Sequence, residues 1–159
     1  MRRLTPSHLL ASSSRRFARL ALALVLSAGC LLAGAPRASA DFAYEVYSGI
    51  WDVLPDFGLL TPIETGGTSP TIGVSVTSET NYFGLVFTNQ INVPTSGDYE
   101  FYTNSDDGSI LYIDGQVVVD NDGLHGPRTV ANSVTLTAGL HDLRVEFFEK
   151  GGGEVIEVG

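Results

Sequence analysis

The chain has 159 residues, nine of them basic and eighteen acidic, and a formal net charge of −9. Six of the basic residues precede Asp41 while every acidic residue lies at or after it, so segment 41–159 carries a net charge near −15. That charge argues against nucleic acid and anionic membrane surfaces as partners and favours cations or neutral polar ligands.

The first forty residues read as a cleavable export signal. Arg2, Arg3, Arg15, Arg16 and Arg19 precede the apolar run "LALALVLSAGCLLAGA", and Ala38-Ser39-Ala40 supplies a small-residue cleavage site. The expected organisation is therefore a signal peptide, 1–40, and one exported domain, 41–159. The apolar run is about sixteen residues long and interrupted by Gly29 and Gly34, which is short for a membrane span. "SSRRFAR" resembles a twin-arginine signal, so either the general or the twin-arginine route leads to an extracellular or periplasmic location. "LSAGC" resembles a lipoprotein box, but its leucine stands one place too early and apolar sequence continues beyond it. Cys30 is the only cysteine and lies in this leader, so the exported 119 residues must hold one core without a disulfide. A calcium ion is one substitute staple.

From Phe42 onward the pattern is strands and turns with no helical stripe. The irregular stretch Tyr44–Thr80 contains Pro55, Pro62, Pro70 and Gly66-Gly67, and short strands are expected near Tyr44–Tyr47 and Ile72–Val76. In "FGLVFTNQINV", Phe83, Leu85, Phe87, Ile91 and Val93 alternate with polar positions, which predicts a half-buried strand. Pro94 and Gly97 then turn the chain into "DYEFYTN", with Tyr99 and Phe101 on one face, and the two strands are expected to form an antiparallel hairpin. Asp114-Gly115 between "ILYI" and "QVVVD" predicts a second hairpin with a type I′ turn. "SVTLT", Ala138-Gly139 and "LHDLRVEFFEK" repeat the scheme with Val134, Leu136, Leu143, Val145 and Phe147 inward, and Val155–Val158 forms a last short strand. Short strands with frequent turns predict an all-β fold, an antiparallel two-sheet β-sandwich of jelly-roll type.

Catalytic patterns are missing: the sequence has no nucleophile elbow, no paired-histidine zinc motif and no phosphate-binding glycine loop. His125 and His141 read as packing or turn residues. Metal chemistry has more support, because calcium takes six to eight oxygen ligands. "NSDDGS", "DNDG" and "EKGGGE" each place such oxygens in a glycine-containing loop, although none fits the EF-hand pattern. Asp106 and Asp107 stand out as adjacent like charges between two strands, where a cation would relieve their repulsion. Trp51 and Phe57 could stack on a sugar face, but the simpler reading is that they cover one end of the core.

The run "FYTNSDDGSILYIDGQVVVDNDGLHGPR", preceded by "FGLVFTNQINVPTSGDY" and followed by "VTLTAGLHDLRVEFFEKGGG", resembles the protective-antigen fourteen-kilodalton-type β-sandwich family. The resemblance implies an accessory binding module of secreted enzymes, toxins and adhesins rather than an enzyme. It implies that Asp106 and Asp107, joined by a cis peptide, hold a calcium ion, with backbone carbonyls of Gly151, Gly152 and Gly153 completing the coordination. Sugar hydroxyls of a glycan or polysaccharide would then bind the metal, with Asn121, Asp122 and Lys150 as weaker candidates for shaping the site. The alternative is a structural or adhesion module for protein partners, without a sugar site, in a longer multidomain chain.

Overall fold

Period-two alternation puts successive side chains on opposite faces of a strand, and the inward series along this chain build two sheets with one core between them. The computed structural model describes residues 41–159, so the expected export signal lies outside the described residues. In chain order the strands are β1 (Phe42–Ser48), β2 (Glu64–Ser69), β3 (Phe83–Val93), β4 (Gly97–Asp106), β5 (Ser109–Ile113), β6 (Gln116–Asn121), β7 (Arg128–Leu136), β8 (Gly139–Glu149) and β9 (Val155–Val158). A six-stranded sheet has the order β2-β1-β3-β8-β5-β6 and a three-stranded sheet the order β7-β4-β9, all pairs antiparallel. This is the expected sandwich. Among the described residues no helix is long and apolar enough to cross a membrane.

Three local expectations are corrected. The strands Phe83–Val93 and Gly97–Asp106 are not a hairpin: β3 pairs with β1 and β8, whereas β4 pairs with β7 and β9 in the other sheet. The same holds for β7 and β8, which follow each other in sequence but lie in opposite sheets. In both cases the turn carries the chain across the sandwich into the opposite sheet. Ile72–Val76 is not a strand either; Val74–Val76 forms a single 3₁₀ turn packed on the core, and the edge strand lies earlier, at Glu64–Ser69. The Asp114-Gly115 hairpin is present, with φ of 50° and 75° at its two central residues, as a type I′ turn requires.

β8 is the axis of the larger sheet. It pairs with β3 over eleven residues, from Phe83 opposite Glu149 to Val93 opposite Gly139, and with β5 on its other edge. Leu143, Val145 and Phe147 point into the core beside Leu85, Phe87, Leu111, Val119 and Ile156. Tyr99, Phe101, Val134 and Val158 close it from the smaller sheet. Each such side chain, fully buried, contributes about 1.5–3 kcal/mol. On the opposite face of the larger sheet Tyr47, Phe57 and Val86 form a second cluster with Trp51 and Leu54. Trp51 and Phe57 therefore cover a sheet face, not an end of the core, and β3 is buried on both faces over its first five residues.

His141 fixes the far end of β8. One ring nitrogen lies 2.6 Å from the Asp114 carboxylate and the other 2.8 Å from the Thr137 carbonyl. Asp114 also accepts a bond from the Asp142 amide. The Asp114 partner raises the His141 pKa above 6.5, and the same bond lowers that of Asp114 below 3.8. The histidine contribution is complete below its unfolded value and is lost as pH rises through the higher folded one; that of Asp114 holds above its unfolded value and fades as pH falls through the folded one. The melting difference between wild type and Asp114→Asn should therefore be larger at about pH 5.5 than at about pH 8.5, which thermal unfolding at the two pH values measures.

Candidate metal and ligand site

The stretch "NSDDGS" is where the chain crosses between sheets: β4 of the smaller sheet ends at Asp106, and β5 of the larger begins at Ser109. The peptide bond between Asp106 and Asp107 is cis. Gly108 allows the corner to close. A Cβ there would lie 2.5 Å from the Phe148 ring, 2.9 Å from Asp122 Oδ1 and 2.9 Å from the Gly123 backbone nitrogen. The Phe148 amide in turn donates to the Gly108 carbonyl at 3.0 Å and ties the corner to β8.

Beneath the corner the inward positions of β4 change from apolar to hydroxylic. Thr103, Ser105 and Ser109 are fully buried. Ser109 Oγ donates to Thr103 Oγ1 at 3.0 Å, and the Ser105 and Ser109 hydroxyls lie 2.8 Å apart. Asn121, also fully buried, donates to Ser105 Oγ and to the Arg128 carbonyl, and accepts from Arg128 Nε at 2.6 Å. Its side chain is thus committed inside the protein as a support of the corner. Asp122 Oδ1 likewise accepts from the amides of Leu54 and Gly123, holding the segment after Trp51 against this end of the sandwich.

Asp107 joins the surrounding loops. One carboxylate oxygen accepts from the His125 amide at 3.2 Å and the other from the Lys150 amide at 3.0 Å. The His125 ring faces the carbonyls of Asn121 and Gly126, so it shapes its own loop. The Lys150 ammonium pairs with Asp52, which raises its pKa. The triple glycine approaches from the same side: the Gly152 amide donates to Asn81 Oδ1 at 3.3 Å, and a Cβ on Gly153 would lie 3.8 Å from Asp106 Oδ2. The structure thus brings Asp106, Asp107 and Gly153 together, whereas Asn121, Asp122 and the Lys150 side chain brace the neighbouring loops.

The residue that sequence reasoning missed is Glu149. Its carboxylate is fully buried, and neither oxygen has a hydrogen-bond partner. One oxygen each of Asp106, Asp107 and Glu149 lie within 4.8 Å of one another. Burial, with the charge of Asp107 and then Asp106, pushes the Glu149 pKa up to about 7; the amides of Gly151 and Asp107 work against that rise without reaching hydrogen-bond geometry. Asp106 is raised as well, by burial and by Asp107. A signal existed in the sequence, because residue 149 continues the inward series 143, 145, 147 and is the one charged member of it.

A family model described as the PA14 domain matches residues 74–158 of this chain. The chain belongs to the PA14 domain family. A search of curated proteins finds no match. Among solved structures, the PA14 domain of the MpAFP antifreeze protein superposes with a TM-score of 0.62 at 19% identity, over 79% of this chain and 83% of that one. The PA14 sugar-binding domain from an RTX adhesin gives 0.55 at 16% identity, covering 75% and 88%. A β-glucosidase from Kluyveromyces marxianus gives 0.56 at 18% identity over 74% of this chain, but only 16% of the enzyme is matched. At these identities the likeness is one of fold.

The corner geometry yields a stability prediction. Gly108→Ala should destabilise the protein by about 1–3 kcal/mol, because the Cβ meets backbone at Gly123 as well as the Phe148 ring, and urea unfolding should register the loss.

Proposed function

We propose that this PA14 domain is a secreted, non-catalytic carbohydrate-binding module that holds a calcium ion between Asp106, Asp107 and Glu149, with glycan hydroxyls completing the coordination. The observation that carries the reading is Glu149, a fully buried carboxylate with no partner, turned toward two further carboxylates. An isolated buried anion is costly, and buried charges are ordinarily paired or bound to a metal. The donor set is hard oxygen, which suits calcium. Oxygens around one calcium at 2.3–2.6 Å stand no more than about 5 Å apart, and the three here satisfy that limit at 4.8 Å. Bound calcium would supply positive charge and open positions for vicinal hydroxyls. The protein's own part is to hold the acids in place: Asp107 through two backbone amides, the corner through the Thr103-Ser105-Ser109 network, and Glu149 through the register of β8 on β3. The sugar-binding adhesin domain of the same fold supports a glycan as the ligand. The non-catalytic reading agrees with both described histidines being engaged by protein acceptors.

A second reading, an adhesion module for a protein partner without a sugar site, draws on the segment 50–63. Leu59 is 83% exposed, Ile50 66% and Ile63 57%, an unusual run of bare aliphatic side chains. A glycan array with and without chelator separates the two readings: calcium-dependent sugar binding supports the first, and silence on the array the second.

Thermal unfolding tests the metal. Calcium at a hundredfold excess over its dissociation constant should add about 2.7 kcal/mol of apparent stability to wild type, and the variant Asp106→Asn/Asp107→Asn should lose that response. Glu149→Gln separates charge from packing. With its folded pKa raised, Glu149 costs nothing below pH 4.5 and increasingly destabilises the metal-free protein as pH rises through about 7. The Gln variant should therefore melt higher than wild type in chelator at about pH 8 and respond less to calcium. A wild type indifferent to calcium would contradict the proposal.

A further inference from the structure

The residue that leads into β3 departs from ordinary backbone preference. Among the described residues, positive φ falls on five glycines, on Asp114 in its type I′ turn, and on Tyr82 at 60°. The left-handed region sets Cβ against the following carbonyl oxygen, so a bulky aromatic there is strained. Hydrogen bonds fix the segment: the Tyr82 carbonyl accepts from the Gly49 amide at 2.9 Å, and Asn81 Oδ1 accepts from the Gly152 amide at 3.3 Å. Strain held in place by its surroundings concentrates at binding sites. Glycine would serve this backbone without penalty, and core packing does not explain the tyrosine, because its side chain is half exposed and belongs to neither apolar cluster.

Tyr82 stands at the acid corner. The β3–β8 register ends with Phe83 opposite Glu149, and one step further the same alignment sets Tyr82 beside Lys150, across a strand spacing of about 4.8 Å. The Lys150 amide is the one that binds Asp107. The raised Lys150 pKa has Asp52 as its main cause and also senses Asp107 and the Tyr82 phenol, which places the ammonium near all three. Two more exposed apolar side chains sit on loops bonded to this corner. Leu124 lies between Gly123, whose amide binds Asp122, and His125, whose amide binds Asp107. Val53 lies between Asp52, the partner of Lys150, and Leu54, whose amide binds Asp122. Three separate segments thus bring an exposed apolar group to the margin of one carboxylate site.

A pyranose matches this pairing of surfaces. Its hydroxyls lie at the ring edge and suit a cation, whereas the C–H groups of one face form an apolar patch that packs on an aromatic ring. An anionic sugar does not match, because Lys150 is engaged by Asp52 and the surroundings are otherwise acidic. We infer that Tyr82 is the stacking platform of the glycan site and receives the C–H face of a neutral pyranose of galacto configuration, with Leu124 and Val53 as the apolar margin beside it. In that configuration the vicinal 3- and 4-hydroxyls reach the cation while H3, H4 and H5 lie on the ring. The inference rests on the calcium-dependent sugar reading and adds to it the class of sugar and the residue that holds its face.

The test uses the purified protein in calcium chloride with methyl β-D-galactopyranoside as probe. Titration calorimetry should show binding by wild type and by Tyr82→Phe. The dissociation constant should rise about tenfold or more in Tyr82→Asn, which accepts a positive φ but has no ring. Both variants should keep the wild-type rise in melting temperature on adding calcium, which separates a lost platform from a lost fold or a lost ion. In saturation-transfer NMR with the tyrosine rings irradiated, wild type should pass signal to H3, H4 and H5 of the probe more than to its methyl group, and Tyr82→Asn should not. Equal affinity of Tyr82→Asn and wild type overturns the inference and leaves the calcium and sugar reading standing. A wild type that responds to calcium but does not bind the probe, or that binds the corresponding galacturonide as tightly, overturns the class of sugar inferred. Indifference of wild type to calcium overturns both readings.

Discussion

The inward phase of β8 is the constraint on which the rest depends. A strand has no means of turning one side chain to the other face without a bulge, and β8 keeps an unbroken register with β3 over eleven residues. The order that sends Leu143, Val145 and Phe147 into the core therefore sends Glu149 inward too. Apolar packing along the strand holds a carboxylate where water does not reach it. That burial is what brings a third carboxylate to the aspartate corner.

The corner is built to receive it. Asp106 and Asp107 sit where the chain passes from the smaller sheet to the larger, beside the β6–β7 and β8–β9 crossings at the same end. Hydroxyls replace apolar side chains on β4 as it nears the crossing, and Asn121 and Arg128 complete a polar support beneath. Asp107 then collects the amides that open the His125 and Lys150 loops. What looks like a cluster of repelling charges is, in the surrounding bonds, an anchored frame that holds three carboxylates close together. His141 and Asp114 do the equivalent work at the other end of β8 with a neutralising pair of their own.

Much of this was legible in the sequence, and the rest failed for identifiable physical reasons. Periodicity located β3, β4, β5, β8 and β9 and the face each presents, and Asp114-Gly115 gave its hairpin directly. Periodicity carries no information about which sheet a strand joins, so the turns after Val93 and Leu136, which cross the sandwich, read as hairpins. Glu64–Ser69 was invisible because an edge strand held by backbone pairing alone needs no apolar alternation, and Val74–Val76 misled because apolar residues can pack from a turn. At the site, the aspartate pair was conspicuous as a local anomaly. Glu149 was not, since a glutamate beside a lysine and three glycines reads as loop until the phase of the preceding strand is followed one step further.

At the corner everything turns on whether Glu149 shares a cation with Asp106 and Asp107. The most direct measurement is a crystal structure of the protein grown in calcium chloride, with anomalous scattering used to place the ion. The expected result is one calcium bonded to carboxylate oxygens of all three residues at about 2.3–2.6 Å. An ion held by the aspartates with Glu149 outside its coordination sphere, or no ion at this corner, would contradict it.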